Sequence, residues 1–93
     1  MGSMTCGEML AANLRAARAR VGLDQAVVVE RMRALGFASW HRQTMGKVER
    51  GERRLMAEEV IALTHVLETT LYGLMSPSGN DDVRFRSGDR VSV

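Results

Sequence analysis

Ninety-three residues with an apolar fraction of 45% can bury one small core and leave no room for a second domain. A lone cysteine, Cys6, excludes an internal disulfide and any cysteine-built metal centre, in keeping with a reducing compartment. The formal charge of +2 excludes little as a total, but residues 40–54 hold five Arg and Lys against two acids, whereas residues 56–82 hold five acids and neither Arg nor Lys.

A chain with one basic and one acidic region is oriented before it meets a polyanion. No stretch reaches the ~18 apolar residues of a membrane span, and no signal-peptide core is present. Residues 1–4, Met-Gly-Ser-Met, read as a vector-derived leader with Met4 as the native start, and are set aside from the fold. The first helix is expected over residues 8–21, where Leu10, Leu14, Ala17 and Val21 form one stripe. Arg15 and Arg20 point away from that stripe, and Arg18 lies beside it. Gly22 is placed to end the helix. Asp24 is a natural N-cap for a second helix, with Val28, Val29, Met32 and Leu35 facing the core. The run Val27-Val28-Val29 has strand propensity, but its capping residue and the helix-forming Glu30–Ala34 decide for helix.

Gly36 begins a connection to Trp40, and Phe37 and Trp40 are expected to wedge beneath it. From Trp40 to Arg54 the chain reads WHRQTMGKVERGERR. At ~100° per residue, Arg42, Gln43, Gly46, Lys47 and Arg50 share one face and Thr44, Met45 and Val48 the other. A glycine inside a helix costs ~1 kcal/mol relative to alanine. On a cationic face it also removes bulk, which lets a large ligand such as the major groove of DNA approach. Gly51 stands where a left-handed C-cap is expected, and Arg53 and Arg54 follow on the turn. The stretch reads as a DNA recognition helix.

Residues 57–67 form the next expected helix, with Val60, Leu63, Val66 and Leu67 as its stripe. Thr69 or Thr70 can cap a short fifth segment through Leu71, Leu74 and Met75. Pro77 and the polar run at 76–81 close the helical part. Beyond it, Val83–Arg86 and Arg90–Val93 alternate around Ser87-Gly88-Asp89, a hairpin pattern. A lone hairpin is unstable in water and needs a partner surface.

Gly22–Ala26, then Gln43–Gly51, then an apolar four-residue rhythm from Val60 together resemble the Cro/lambda-repressor type (XRE family) helix-turn-helix domain. The likeness spans roughly residues 8–75. It implies an all-α fold, a five-helix bundle with helices two and three as the DNA-binding pair, here with a short C-terminal β-hairpin added. It also implies that Arg42, Gln43 and Lys47 read base edges, and that Gln25 contacts a phosphate and braces the recognition helix. Arg18 and Glu49 match a family pair that ties helix one to the end of the recognition helix. Three positions depart from the pattern. The Leu35–Trp40 connection is longer than the family's tight turn, Glu68 stands where a helix-ending Gly is common, and Met56 replaces a Ser or Thr cap.

The chain therefore divides into residues 1–4 as leader, 5–76 as the DNA-binding domain, and 77–93 as linker and hairpin tail. His41 and His65 have no ligand spacing around them, and Glu58-Glu59 read as first-turn acids favoured by the helix dipole. No phosphate loop or nucleophile elbow is present. The expectation is a non-enzymatic regulator with no metal and no cofactor, a homodimer on double-stranded DNA in the cytoplasm, associated with the nucleoid. Phosphates would be met by Gln25, His41, Arg50, Arg53 and Arg54. An antitoxin-like or coactivator-like protein-interaction module on the same fold is the second reading, favoured by the acidic stretch and the tail.

Overall fold

A computed structural model describes residues 3–76, 82–84 and 90–91. Five helices follow one short strand: β1 (Ser3–Thr5), α1 (Cys6–Val21), α2 (Gln25–Ala34), α3 (Arg42–Glu49), α4 (Ala57–Val66) and α5 (Leu71–Met75). Strands β2 (Asp82–Arg84) and β3 (Arg90–Val91) complete the order. No helix among the described residues is long and apolar enough to cross a membrane.

Helix α1 starts two residues before its expected beginning because Thr5 and Glu8 form a capping box. The Glu8 N–H donates to Thr5 Oγ1 at 3.0 Å and the Thr5 N–H to Glu8 Oε1 at 2.8 Å, which satisfies two otherwise orphaned donors. Asp24 caps α2 by accepting from the Val27 N–H at 3.1 Å, and Thr70 caps α5 by accepting from the Gly73 N–H at 3.0 Å. Met56 has no hydroxyl to offer at the start of α4. Glu59 instead reaches back to accept the Met56 N–H at 2.8 Å.

Helices α1 to α4 end in the same left-handed reversal. After α4 the residue in that conformation is Glu68, with φ 53°. The Thr69 N–H closes the turn on the Thr64 carbonyl at 2.9 Å, and the Glu68 N–H bonds His65 at 3.3 Å. An L side chain with a Cβ is strained there by ~1–2 kcal/mol. The position where a glycine was expected thus has the backbone of a glycine and the side chain of a glutamate.

The core joins Leu14 and Ala17 of α1, Val28, Val29 and Met32 of α2, Met45 and Val48 of α3, Val60, Leu63 and Val66 of α4 with Leu67 that caps it, and Leu74 of α5. Trp40 lies among them, fully buried, while Phe37 packs half-buried at the edge. One expected core position is corrected: Leu35 is 47% exposed, because it caps α2 beyond the last turn. In the fifth segment Leu74 is buried, whereas Leu71 is 48% and Met75 44% exposed. Asn13 ties α1 to the end of α5 by donating to the Leu74 carbonyl at 2.7 Å and the Ser76 carbonyl at 2.9 Å.

The tail is not a lone hairpin. Strands β2 and β3 pair antiparallel, with Val83 opposite Val91, and β1 pairs parallel to β2, with Met4 opposite Val83. A parallel pair requires a long crossover, and here the five helices are that crossover. Ser3 and Met4, set aside on the sequence, supply the third strand. The expected strand ends at 85–86 and 92–93, the turn at 87–89 and the linker at 77–81 lie outside the described residues.

Candidate nucleic-acid interface

Helix α3 is held at its entry, along its underside and at its exit. At the entry His41 is the N-cap, extended at φ −148°, and its N–H donates to Thr44 Oγ1 at 3.3 Å. Trp40 precedes it, and Trp40 and Met45 occupy the two positions of a hydrophobic staple, both fully buried. The indole Nε1–H donates to Glu59 Oε2 at 2.7 Å, and Arg33 donates to the Trp40 carbonyl at 3.1 Å. The connection after α2 is pinned as well, by the Phe37 N–H on the Met32 carbonyl at 3.1 Å. Its extra length is therefore folded into an ordered turn.

Along the underside, Glu49 is 4% exposed. Arg18 meets it with a two-point ion pair, Nε to Oε2 at 2.6 Å and Nη2 to Oε1 at 3.0 Å. Gln25 Nε2 donates to Oε1 at 2.8 Å, so helices α1, α2 and α3 converge on one carboxylate. The hydrogen bond that Glu49 accepts from it, set against partial burial, raises the Arg18 guanidinium above its ordinary value, so it stays charged. Arg15 also donates to the Glu49 backbone carbonyl. Read on the sequence as pointing away, it closes the C-terminal end of α3.

At the exit Gly51 takes φ 73°, the Glu52 N–H bonds the Lys47 carbonyl at 2.8 Å, and the Gly51 N–H bonds Val48 at 3.1 Å. This is a Schellman reversal, and it turns the chain back alongside the last turn of the helix. The left-handed φ, not the space, is what calls for glycine here: an added Cβ would lie in ordinary contact, 3.7 Å from the Gly7 carbonyl and 3.8 Å from the Ala11 side chain.

With its underside so fixed, α3 shows two faces. Thr44, Met45 and Val48 are buried, and Arg42, Gln43, Lys47 and Arg50 are exposed, as are His41 before the helix and Arg54 after it. The side chains of Arg42, Gln43 and Lys47 have no hydrogen-bond or ion-pair partner among the described residues. Arg50 pairs with Glu52 at 3.1 Å, both side chains more than half exposed.

Arg53 has a partner within the fold that the sequence did not show. The sequence placed it on a phosphate rim, yet its guanidinium forks onto Glu59 at 3.0 and 3.2 Å and lies 5.5 Å from the Trp40 ring centroid. Glu59, 3% exposed, accepts four hydrogen bonds: two from Arg53, one from Trp40 and one from the Met56 N–H. Burial would raise its carboxyl, but the bonds from Arg53, Met56 and Trp40 outweigh it and hold the group below the ordinary glutamate value. A first-turn acid on the sequence is thus the anchor that fastens the entry of α3 to α4. The place of Glu59 three residues after Met56 was a signal for the backbone cap that the sequence reading passed over, and nothing in the sequence signalled that Trp40 and Arg53 share the same carboxylate.

A family model described as a helix-turn-helix domain matches residues 9–71. Among solved structures, a hypothetical transcription factor from Neisseria, NHTF, is similar at 20% identity and TM-score 0.66, over 78% of this chain and 77% of that one. At that identity the likeness is one of fold. The DNA-binding domain of BldD is similar at 27% identity and TM-score 0.62, over 76% of this chain and 94% of that one. No curated protein matches the sequence.

Proposed function

The chain belongs to the helix-turn-helix domain family, and we propose that it is a transcription regulator binding double-stranded DNA through the major groove, as a homodimer on a pseudo-palindromic operator. The observation that carries this reading is the division of α3. Its apolar face is buried, its cation-and-amide face is exposed, and both ends are locked by hydrogen bonds. A rigid helix with long polar side chains on one free face suits base-edge readout. The similarity to the DNA-binding domain of BldD supports the same reading.

In this assignment Arg42, Gln43 and Lys47 reach base edges, with Arg on guanine and Gln on adenine as the natural pairings. His41 and Arg54 flank the helix at its two ends and meet phosphates. Gln25 spends one amide hydrogen on Glu49 and has a second for a phosphate. Arg53, bound to Glu59, shapes the rim without touching DNA. One recognition helix reads only a few base pairs, so two copies on half-sites ~34 Å apart supply the needed length. Such a regulator works in the cytoplasm, on the nucleoid.

Gel shifts on random duplex at two salt concentrations test the reading, because log K falls by ~0.9 per neutralised phosphate per decade of salt. Steep salt dependence is expected. Binding that is absent or indifferent to salt would favour a protein-interaction module on this fold. Sedimentation checks the dimer: a monomer both free and on a site selected from a random pool would overturn it.

A further inference from the structure

The end of the recognition helix contains an arrangement that the proposed assignments leave unexplained. Arg50, the C-cap residue, stands four positions after Gly46 and so on the same side of α3, and side chains on a helix lean toward its N-terminus. The Arg50 guanidinium follows that lean and settles over Gly46. A Cβ added to Gly46 would lie 3.1 Å from Arg50 Nη1, 3.9 Å from Cζ and 4.0 Å from Nη2. The seat exists because residue 46 has no side chain. The glycine is therefore filled from within the chain, and is not simply an opening for the approach of DNA.

The guanidinium is also held from behind. The reversal at Gly51 returns the chain beside the last turn of α3, and Glu52 Oε2 lies 3.1 Å from Arg50 Nε. That contact uses the inner nitrogen. The two terminal nitrogens, each with two N–H groups, have no hydrogen-bond partner among the described residues. A planar fork of donors fixed from its inner edge is the geometry that takes the O6 and N7 acceptors of guanine as a pair.

We propose that Arg50 is a specificity-determining residue reading guanine in the groove, that Gly46 is its seat, and that Glu52 is a positioning residue that aims it. This rests on the DNA-binding reading above and moves Arg50 from the phosphate rim to the groove floor. Glu52 has a second effect, since a carboxylate beside the interface repels phosphates of any sequence. It lowers affinity for all DNA while raising discrimination.

The test uses the full 93-residue chain, a site selected from a random pool, and random duplex as the reference. Arg50→Lys keeps the charge and loses the fork. It is expected to lower affinity for the selected site about tenfold or more, hold affinity for random duplex within about twofold, and relax preference at one guanine. Glu52→Ala is expected to tighten binding to random duplex and narrow the ratio of selected to random. Glu52→Gln also removes the charge but still accepts from Nε, so it tightens both and keeps the ratio. Gly46→Ala meets only the far end of a flexible side chain, so it is expected to melt no lower than the parent and still lose discrimination. If Arg50→Lys weakens selected and random duplex alike, or if Glu52→Ala and Glu52→Gln leave the same ratio, the proposal is overturned. Absence of salt-dependent duplex binding by the unaltered chain would overturn the DNA-binding reading itself, and this inference with it.

Discussion

Replacing Arg53 by alanine separates a structural arginine from a DNA-contacting one. The substitution removes two charge-assisted hydrogen bonds from the buried Glu59 carboxylate and the cation from the Trp40 ring. Breaking a buried pair by removing one partner costs ~3–5 kcal/mol, because the other charge is stranded. Two features place this case at or below the bottom of that range. The Arg53 side chain is 31% exposed, so water can follow it, and Glu59 keeps its bonds to Trp40 and the Met56 N–H. The lost cation–π contact adds ~0.5–1 kcal/mol. A loss of ~2–3 kcal/mol follows, and at ~4–8 °C per kcal/mol for a domain of this size the melting temperature should fall by ~8–24 °C. Thermal unfolding followed by circular dichroism at neutral pH measures it, with Arg54→Ala as the neighbouring exposed control, expected within ~0.5 kcal/mol of the parent. On DNA, well below the transition, the order should reverse. Arg54→Ala should weaken selected and random duplex by similar factors and reduce the salt slope by about one unit, while Arg53→Ala leaves that slope unchanged. An Arg53→Ala protein that melts with the parent and shows the shallower salt slope would refute the assignment.

The Glu59 carboxyl lies below the ordinary glutamate value when folded, so its contribution to stability is present above the unfolded value of about 4.3 and is lost as pH falls through the folded one. The gap in melting temperature between the parent and Glu59→Gln should therefore narrow as pH is lowered through that window; a gap that stays constant to pH 2 would contradict it. Arg18→Ala should cost ~3 kcal/mol by stranding Glu49, measured against exposed Arg20→Ala; Arg15 is no control, since it bonds the Glu49 carbonyl. Equal, small losses for both variants would mean the ion pair does not hold α3. Glu68→Gly should raise stability by ~0.5–1 kcal/mol, the left-handed strain relieved less the added freedom of the unfolded chain, and a lower melting temperature would show that the glutamate has a role of its own. Arg42→Ala and Gln43→Ala should each weaken a selected site by ~1–3 kcal/mol while sparing random duplex, with relaxed preference at one or two base pairs; unchanged specificity in both would remove them from the reading face.

Local physics decided what was legible in the sequence. The helices, the Asp24 and Thr70 caps and the reversals at Gly22, Gly36 and Gly51 depend on residues within a few positions of one another, where propensity and hydrogen-bonding reach act directly. The two faces of α3 are equally local, because a period of 3.6 assigns Thr44, Met45 and Val48 to one side and Arg42, Gln43 and Lys47 to the other. The clustering at Glu59 and Glu49 belongs to the tertiary structure. Trp40, Arg53 and Glu59 come together only when the turn before α3, the loop after it and α4 are packed, and until then Arg53 cannot be told from Arg54. The same holds for Arg15 at the end of α3 and for β1, whose partner strand lies beyond all five helices. A pattern along the chain shows which residues an element turns inward. Which buried charge a given arginine meets depends on where separate elements are brought, and only the folded packing determines that.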